Sequence, residues 1–260
     1  MPIFQSRWNT VAVVATLGLL CLVLRSDELP SQPQVHLSVR MSRLPRKTLW
    51  VWERPEDLHF VDPATTAIAW LDQTILIGQE VVSVPRRQPL SYPTGAVRIA
   101  VARIQALPGA KLDATERQRA VALLLLSAAQ PGIAAFQVDF DATSSQRAFY
   151  AALLADVRDK MPAGLPLSIT ALASWCSYDD WIGSLPVDEA VPMLFRMEPD
   201  RSRAPADSPW FRIREPLCIG SVGISTHEAR PDAMADKRIY VFADRGWRQD
   251  VSLLTDRNLP

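Results

Sequence analysis

Short apolar runs recur along the chain, separated by helical or turn-rich stretches. Residues 49–53, 66–71 and 97–104 read as three strands, and 133–143 as a fourth. Residues 74–84 carry two β-branched runs around Gly78-Gln79, which predicts a hairpin where a helix would be expected. Further strands are expected at 167–174, 190–196, 218–226 and 237–244. Asp113 with Glu116 three residues on has the form of a capping box. It predicts a helix that carries Val121 to Leu126 and stops before Pro131-Gly132. Thr143 with Gln146 repeats the signal and starts a helix with Phe149, Leu153, Leu154, Val157 and Met161 on one face. A last helix is expected near 249–256. Eight strands with helical or loop crossovers predict an α/β fold, a small (β/α)8 TIM-like barrel with several helices reduced. A doubly wound sheet is the alternative, but no Gly-rich phosphate turn follows the first strand.

The N-terminal part has a different pattern. Residues 8–24 are free of charge and lie between Arg7 and Arg25, a length that borders on a bilayer span. No small-residue cleavage site follows, so residues 1–25 read as an uncleaved signal anchor, with a cleaved signal peptide as the alternative. Residues 26–45 are polar and proline-punctuated, as in a linker, and 46–260 form a single barrel domain. This places the domain in the periplasm, anchored to the inner membrane through residues 8–24, or exported if the signal is cleaved.

Composition narrows the classes. The 260 residues are 48% hydrophobic and 22% charged, enough for a sizeable core. Lys plus Arg equals Asp plus Glu at 28 each, which argues against a nucleic-acid partner. The three cysteines do not form a disulfide framework. Cys176 and Cys218 are expected as buried free thiols, with pairing in an oxidising compartment as the alternative. The three histidines, His36, His59 and His227, have no metal-ligand spacing, and no cofactor motif is present, so neither metal nor cofactor is expected.

Candidate chemistry collects where a barrel places it, at the carboxyl ends of the strands. On the fourth strand Gln137, Asp139 and Asp141 share one face, while Phe136, Val138 and Phe140 share the other. Polar groups on an inward face are costly unless paired or functional. Other strand ends carry Glu53, Asp72, Arg103, Trp175, Arg196, His227 with Glu228, and Asp244 with Arg245. Of the indoles, Trp50 and Trp70 read as core anchors, and Trp175 and Trp247 as cleft residues suited to stacking on a sugar. The strand ends resemble a pattern among barrel glycosidases, an acid at the end of strand four and a nucleophile at the end of strand seven, which implies Asp141 and Glu228, with Asp139, as the catalytic candidates, two carboxyls across a scissile bond. Asp141 lies beside the helix that Thr143 caps, where the dipole favours the ionised form. Asp139 is deeper, next to a like charge, and easier to keep protonated. The expected arrangement is an Asp139/Asp141 pair sharing a proton. Glu53, Arg103, Trp175, Arg196, His227, Asp244 and Trp247 would bind the glycan.

Three runs carry a family resemblance: Gln137 to Tyr150, Leu167 to Cys176, and Asp188 to Met197. Together they resemble a bacterial family called domain of unknown function 3142, over most of residues 45 to 250. The resemblance implies a glycosidase-like barrel in an exported protein. The fourth strand is also distantly similar to that of the chitinase-type family 18 glycoside hydrolases, which ends Asp-x-x-Asp-x-Asp-x-Glu. With Asp139 and Asp141 as its second and third Asp, Phe136 falls on the first and Thr143 on the catalytic Glu. Shifted by two, Asp141 takes the Glu position, Gln137 the second Asp and Ala134 the first. Neither register restores the motif. The reading is therefore a glycosidase-like protein of the envelope, with a catalytically inactive barrel that binds a glycan or protein partner as its rival.

Overall fold

Eight parallel strands close on themselves: β1 (Lys47–Val51), β2 (Thr66–Ile77), β3 (Val97–Ala106), β4 (Ala135–Asp139), β5 (Leu167–Leu172), β6 (Glu189–Met193), β7 (Ser221–Ser225) and β8 (Arg238–Phe242). Each pairs with the next in chain order, and β1 pairs in parallel with both β2 and β8, which closes the sheet. The computed structural model describes residues 38–195, 212–227 and 236–256, within the compact unit Pro33–Pro260. The expected (β/α)8 barrel is the observed fold, with reduced crossovers. Full-length helices follow β3 and β4: α1 (Ala114–Ala128) and α2 (Arg147–Lys160). Short helices α3 (Ala173–Ser177), α4 (Pro216–Ile219), α5 (Trp247–Asp250) and α6 (Ser252–Asp256) stand near β5, β7 and β8.

Both cap signals operate. The Asp113 side chain accepts from the Thr115 and Glu116 amides, and Thr143 with Gln146 forms a reciprocal capping box that leads into α2. Other boundaries differ from expectation. The strand expected at 218–226 begins as α4, because Pro216 at the first helical position with Glu215 as cap starts a turn of helix first. The strand expected at 66–71 and the first arm of the hairpin are one strand, β2, whose register shifts between Leu71 and Gln73. Such a bulge puts two residues against one and re-aims its side chains. Asp72 consequently turns outward and accepts from Ser127 and Gln130 near the end of α1. It is a brace for the helix, not a residue of the mouth. The hairpin itself is as expected, with Val81–Pro85 antiparallel to β2.

Alternation along the strands makes two cores. Outward residues such as Ile68, Phe136, Val138 and Ile169 pack with α1 and α2. Inward residues such as Trp50, Ala69, Ile99, Val101 and Tyr240 fill the barrel. At Gly223 on β7 an added Cβ would lie 2.8 Å from the Met193 sulfur, so a larger residue at this inward position would require the Met193 side chain to shift. Residues 38–45, in the span read as linker, close the bottom. Met41 is buried with the inward core, and the carbonyls of Met41, Leu44 and Pro45 accept from the Arg238 guanidinium.

Cys176 and Cys218 form a disulfide, with Cα atoms 5.8 Å apart. The free-thiol expectation is overturned, since α3 and α4 bring the two side chains together from 42 residues apart. Among the described residues no helix is long and apolar enough to cross a membrane. The expected anchor, residues 8–24, lies outside the described residues. Closing a loop of this length stabilises by about 4 kcal/mol in the chain-entropy account. Replacing both cysteines with serine should therefore lower unfolding free energy by about 2–4 kcal/mol. Chemical denaturation with and without reductant checks this, and reductant should have no effect on the double variant.

Candidate functional site

The inward face of β4 supplies the site. Gln137 and Asp139 both point into the barrel, as the period-two reading requires, and both are buried. Their environments differ. Gln137 sits mid-barrel, accepting from Trp50 Nε1 at 2.8 Å and donating to Ser168 Oγ at 3.0 Å. Its oxygen and its nitrogen are both engaged in tying β4 to β1 and β5. Asp139 is one step nearer the mouth, paired in register with Arg103 at the rim of β3. Arg103 donates from Nη1 to Asp139 Oδ2 at 2.9 Å, and Thr170 Oγ1 donates to Oδ1 at 2.7 Å.

Asp141 lies beyond the strand end and is mostly exposed. Its Oδ2 is 3.7 Å from Arg103 Nη2. The expected shared proton gives way to a different link: both carboxylates face one guanidinium, and both Asp139 oxygens are already engaged. Burial pushes the Asp139 carboxyl above the usual range. Arg103 opposes that push, the Asp141 charge adds to it, and the Thr170 and Arg103 hydrogen bonds oppose it. Keeping Asp139 protonated more readily than an ordinary aspartate was the expectation, and the direction agrees.

Aromatic side chains line the same mouth. Trp52 is half-buried, with its ring 4.3 Å from that of Trp50 and 5.6 Å from the Arg103 guanidinium carbon. Phe242 and Phe195 continue the cluster, 4.7 Å apart by ring centroid. Trp52 and Thr170 are the site residues that the strand-end reading missed. Both were accessible to it, since Trp52 shares a strand face with Trp50 and Thr170 shares one with Ser168.

The remaining candidates are dispersed. Trp175 and Trp247, expected in a cleft, are 1% and 0% exposed. Trp175 belongs to α3, which begins immediately after β5 and turns the indole into the outer core, edge-on to Trp181. Trp247 follows Gly246, whose φ of 105° folds the chain back, and its Nε1 donates to the Trp50 carbonyl at 3.0 Å. Both are packing anchors. His227 Nε2 lies 3.0 Å from Asp250 Oδ1, and Arg245 Nε approaches the same nitrogen at 3.2 Å. Burial pushes Asp250 up, but Thr226, His227 and the Arg245 amide outweigh it and hold this carboxyl below its usual range. His227 is thus tied into a knot between the ends of β7 and β8. Asp244 is half-buried at the end of β8, where its carbonyl accepts from Arg54. Glu53 stands on the rim beyond β1, accepting from the Arg87 and Gln88 amides. Arg196 and Glu228 lie outside the described residues. Among the described residues no group of three or more His, Cys, Asp or Glu is placed to hold a metal ion.

The Asp139–Arg103 pair sets a pH dependence. A folded-state value above the unfolded one gives stability that is full below about pH 4 and is lost as pH rises through the folded value. Arg103→Met removes the cation that opposes the rise. The variant should match wild type near pH 3 and fall behind by about 2 kcal/mol at neutral pH, a value reduced because Arg103 is a third exposed. Denaturation midpoints across pH 3–8 check this, and the Asp139 carboxyl carbon should titrate higher in the variant.

No curated protein sequence matches the chain. Among solved structures, the chain is similar to the chitinase domain of the spore coat protein CotE from Clostridium difficile. The identity is 15% and the TM-score 0.40, over 58% of this chain and 50% of that one. It is also similar to the Bacillus cereus spore cortex-lytic enzyme SleL, at 15% identity and a TM-score of 0.43, over 69% of this chain and 51% of that one. The chain spans about half the length of these structures. Residues 94–196, from just before β3 to just beyond β6, match the model of the family described as Domain of unknown function (DUF3142), the family that the sequence motifs resemble.

Proposed function

We propose that the barrel mouth acts on a glycan of the cell envelope, as a glycoside-hydrolase-like site centred on Asp139. The observation that carries this reading is a buried carboxyl at the end of β4, pushed up by burial and bonded to Arg103, whose guanidinium lies against the half-buried Trp52. A general acid must hold its proton near working pH, and burial is the usual means. In this reading Asp139 protonates the departing glycosidic oxygen. Asp141, or Glu228 from beyond β7, supplies the second carboxylate as base or nucleophile. Trp52 offers its ring to the apolar face of a sugar, and Arg103 keeps Asp139 oriented. The disulfide supports an oxidising compartment, consistent with an exported domain tethered through residues 8–24.

One observation favours the rival reading, a barrel that binds a glycan without cleaving it. Both Asp139 oxygens are engaged, by Arg103 and Thr170, which suits a positioning role. The two readings separate on Asp139→Asn and Asp141→Asn, assayed with wild type against a panel of envelope glycans for both cleavage and binding. The hydrolase reading expects wild-type cleavage that falls by about 100-fold or more in Asp139→Asn, with binding retained. Binding without cleavage in wild type would establish the rival. Cleavage unchanged in both variants would remove the carboxylates from the mechanism.

A further inference from the structure

The hairpin inserted between β2 and β3 continues the barrel wall past the rim. β1 pairs with β2 only as far as Trp70, whereas β2 runs on to Ile77, with β3 beside it to Ala106 and Val81–Pro85 on its other edge. The result is a three-stranded blade standing above the mouth. Its register sorts the two faces. Ile75, Ile77 and Ile104 point to one side and are buried in the core that includes α1. On the other side Thr74 is flanked by Val84 and Arg103, and Leu76 by Val82 and Gln105. Residues directly opposite on paired strands share a face. This side of the blade, uncovered among the described residues, is therefore continuous with Arg103, the residue that holds Asp139.

That side mixes apolar and polar residues, and two of its valines are exposed. Val82 and Val84 are 42% and 37% exposed. Apolar side chains grouped around a cleft mark a binding surface, where scattered ones would not. At the foot of the blade lies a cavity of about 280 Å³ lined by Glu53, Leu71, Thr74, Val84, Arg87 and Gln88. This is near the lower end of the ~300–1,000 Å³ found for small-molecule sites. Its floor is rigid. The Arg86 guanidinium is largely buried and donates to the carbonyls of Trp52, Arg54 and Gln88, while Glu53 Oε1 accepts two backbone amides. Glu53 Oε2, 4.0 Å from the nearest Arg86 nitrogen, retains acceptor capacity towards the cavity.

We infer that the blade and the cavity at its foot form an accessory subsite for a linear oligosaccharide whose other end occupies the mouth at Asp139. The inference rests on the glycan reading of the mouth. The chemistry fits a sugar chain. Valine and leucine side chains meet the C–H faces of the rings, while Glu53, Thr74 and the exposed Arg87 and Gln88 offer partners for hydroxyls. The subsite would make the protein a reader of chain length, because a chain that extends from Asp139 onto the blade gains contacts that a shorter one lacks.

The test measures binding of chito-oligosaccharides, cello-oligosaccharides and peptidoglycan fragments of two to six units, by calorimetry with the full chain. Wild type should gain about tenfold or more in affinity from the two-unit to the six-unit member of the series it recognises. In Val82→Lys/Val84→Lys, and separately in Glu53→Gln, that gain should shrink to less than about threefold. All of these residues are exposed enough to change without disturbing the core, and thermal melts verify folding. A length gain that survives in both variants, or wild-type binding with no length gain, overturns the subsite and leaves the glycan reading intact. Failure of wild type to bind any member overturns both.

Discussion

A single guanidinium at the bottom of the barrel bears on everything above it. Arg238 and Glu189 are 1% and 2% exposed, and they meet at 3.3 Å inside the ring of strands. Such a pair is tolerable only if its other hydrogen-bonding capacity is used, since an unpaired buried charge costs several kcal/mol. Here it is used. Arg238 also donates to three carbonyls of residues 41–45, which draws that segment under the barrel. Glu189 accepts from Tyr240 and Ser168, Ser168 from Gln137, and Gln137 from Trp50. Burial, reinforced by the Glu189 charge, drives the Tyr240 hydroxyl well above its usual range, so it stays a donor. A polar chain thus crosses the interior from β8 to β1 with its members satisfied, and β4 is held in register by it.

That register is what sets Asp139 at the mouth. Two residues above Gln137 on the same face, Asp139 can only meet what β3 and β5 carry at the same height, Arg103 and Thr170. The site therefore inherits its geometry from the tier below. A carboxyl on a loop would relax towards solvent, as Asp141 does. A carboxyl locked to the strand stays buried, and burial gives Asp139 its raised affinity for a proton.

The outer layer handles a different problem. Helix coverage is uneven around the barrel, with long helices only after β3 and β4 among the described residues. Elsewhere short helices and the Cys176–Cys218 bond take their place, and beyond β2 the bulge at Asp72 lets the wall rise as a sheet instead of turning into a helix. The outer face of this extension is capped by α1 through Asp72 and Gln73, which bond to the last turn of that helix. Among the described residues its inner face has no such cover, and Val82 and Val84 stay partly exposed there.

The strands and their inward and outward faces were legible in the sequence because a buried strand must alternate, and the two capping pairs were legible because helix starts have local chemistry. The sharing of one face by Gln137 and Asp139 followed from the same rule, whereas Asp141, expected on that face, lies past the end of the strand. Contacts between distant residues were not legible. The strand-end reading placed Trp175 and Trp247 at a cleft, but the turn that follows each strand decides whether an indole faces the mouth or the outer core. Glu189 escaped notice because it falls at the entry of β6, where a charge reads as loop until closure of the barrel buries it against Arg238. The pairing of Cys176 with Cys218 depended on α3 and α4 meeting in space. The chain by itself determined the barrel, through periodicity, which is a local property. Only the tertiary structure decided that Asp139 is bound by Arg103 and Thr170, because the register between strands is set by packing and hydrogen bonds across the whole ring.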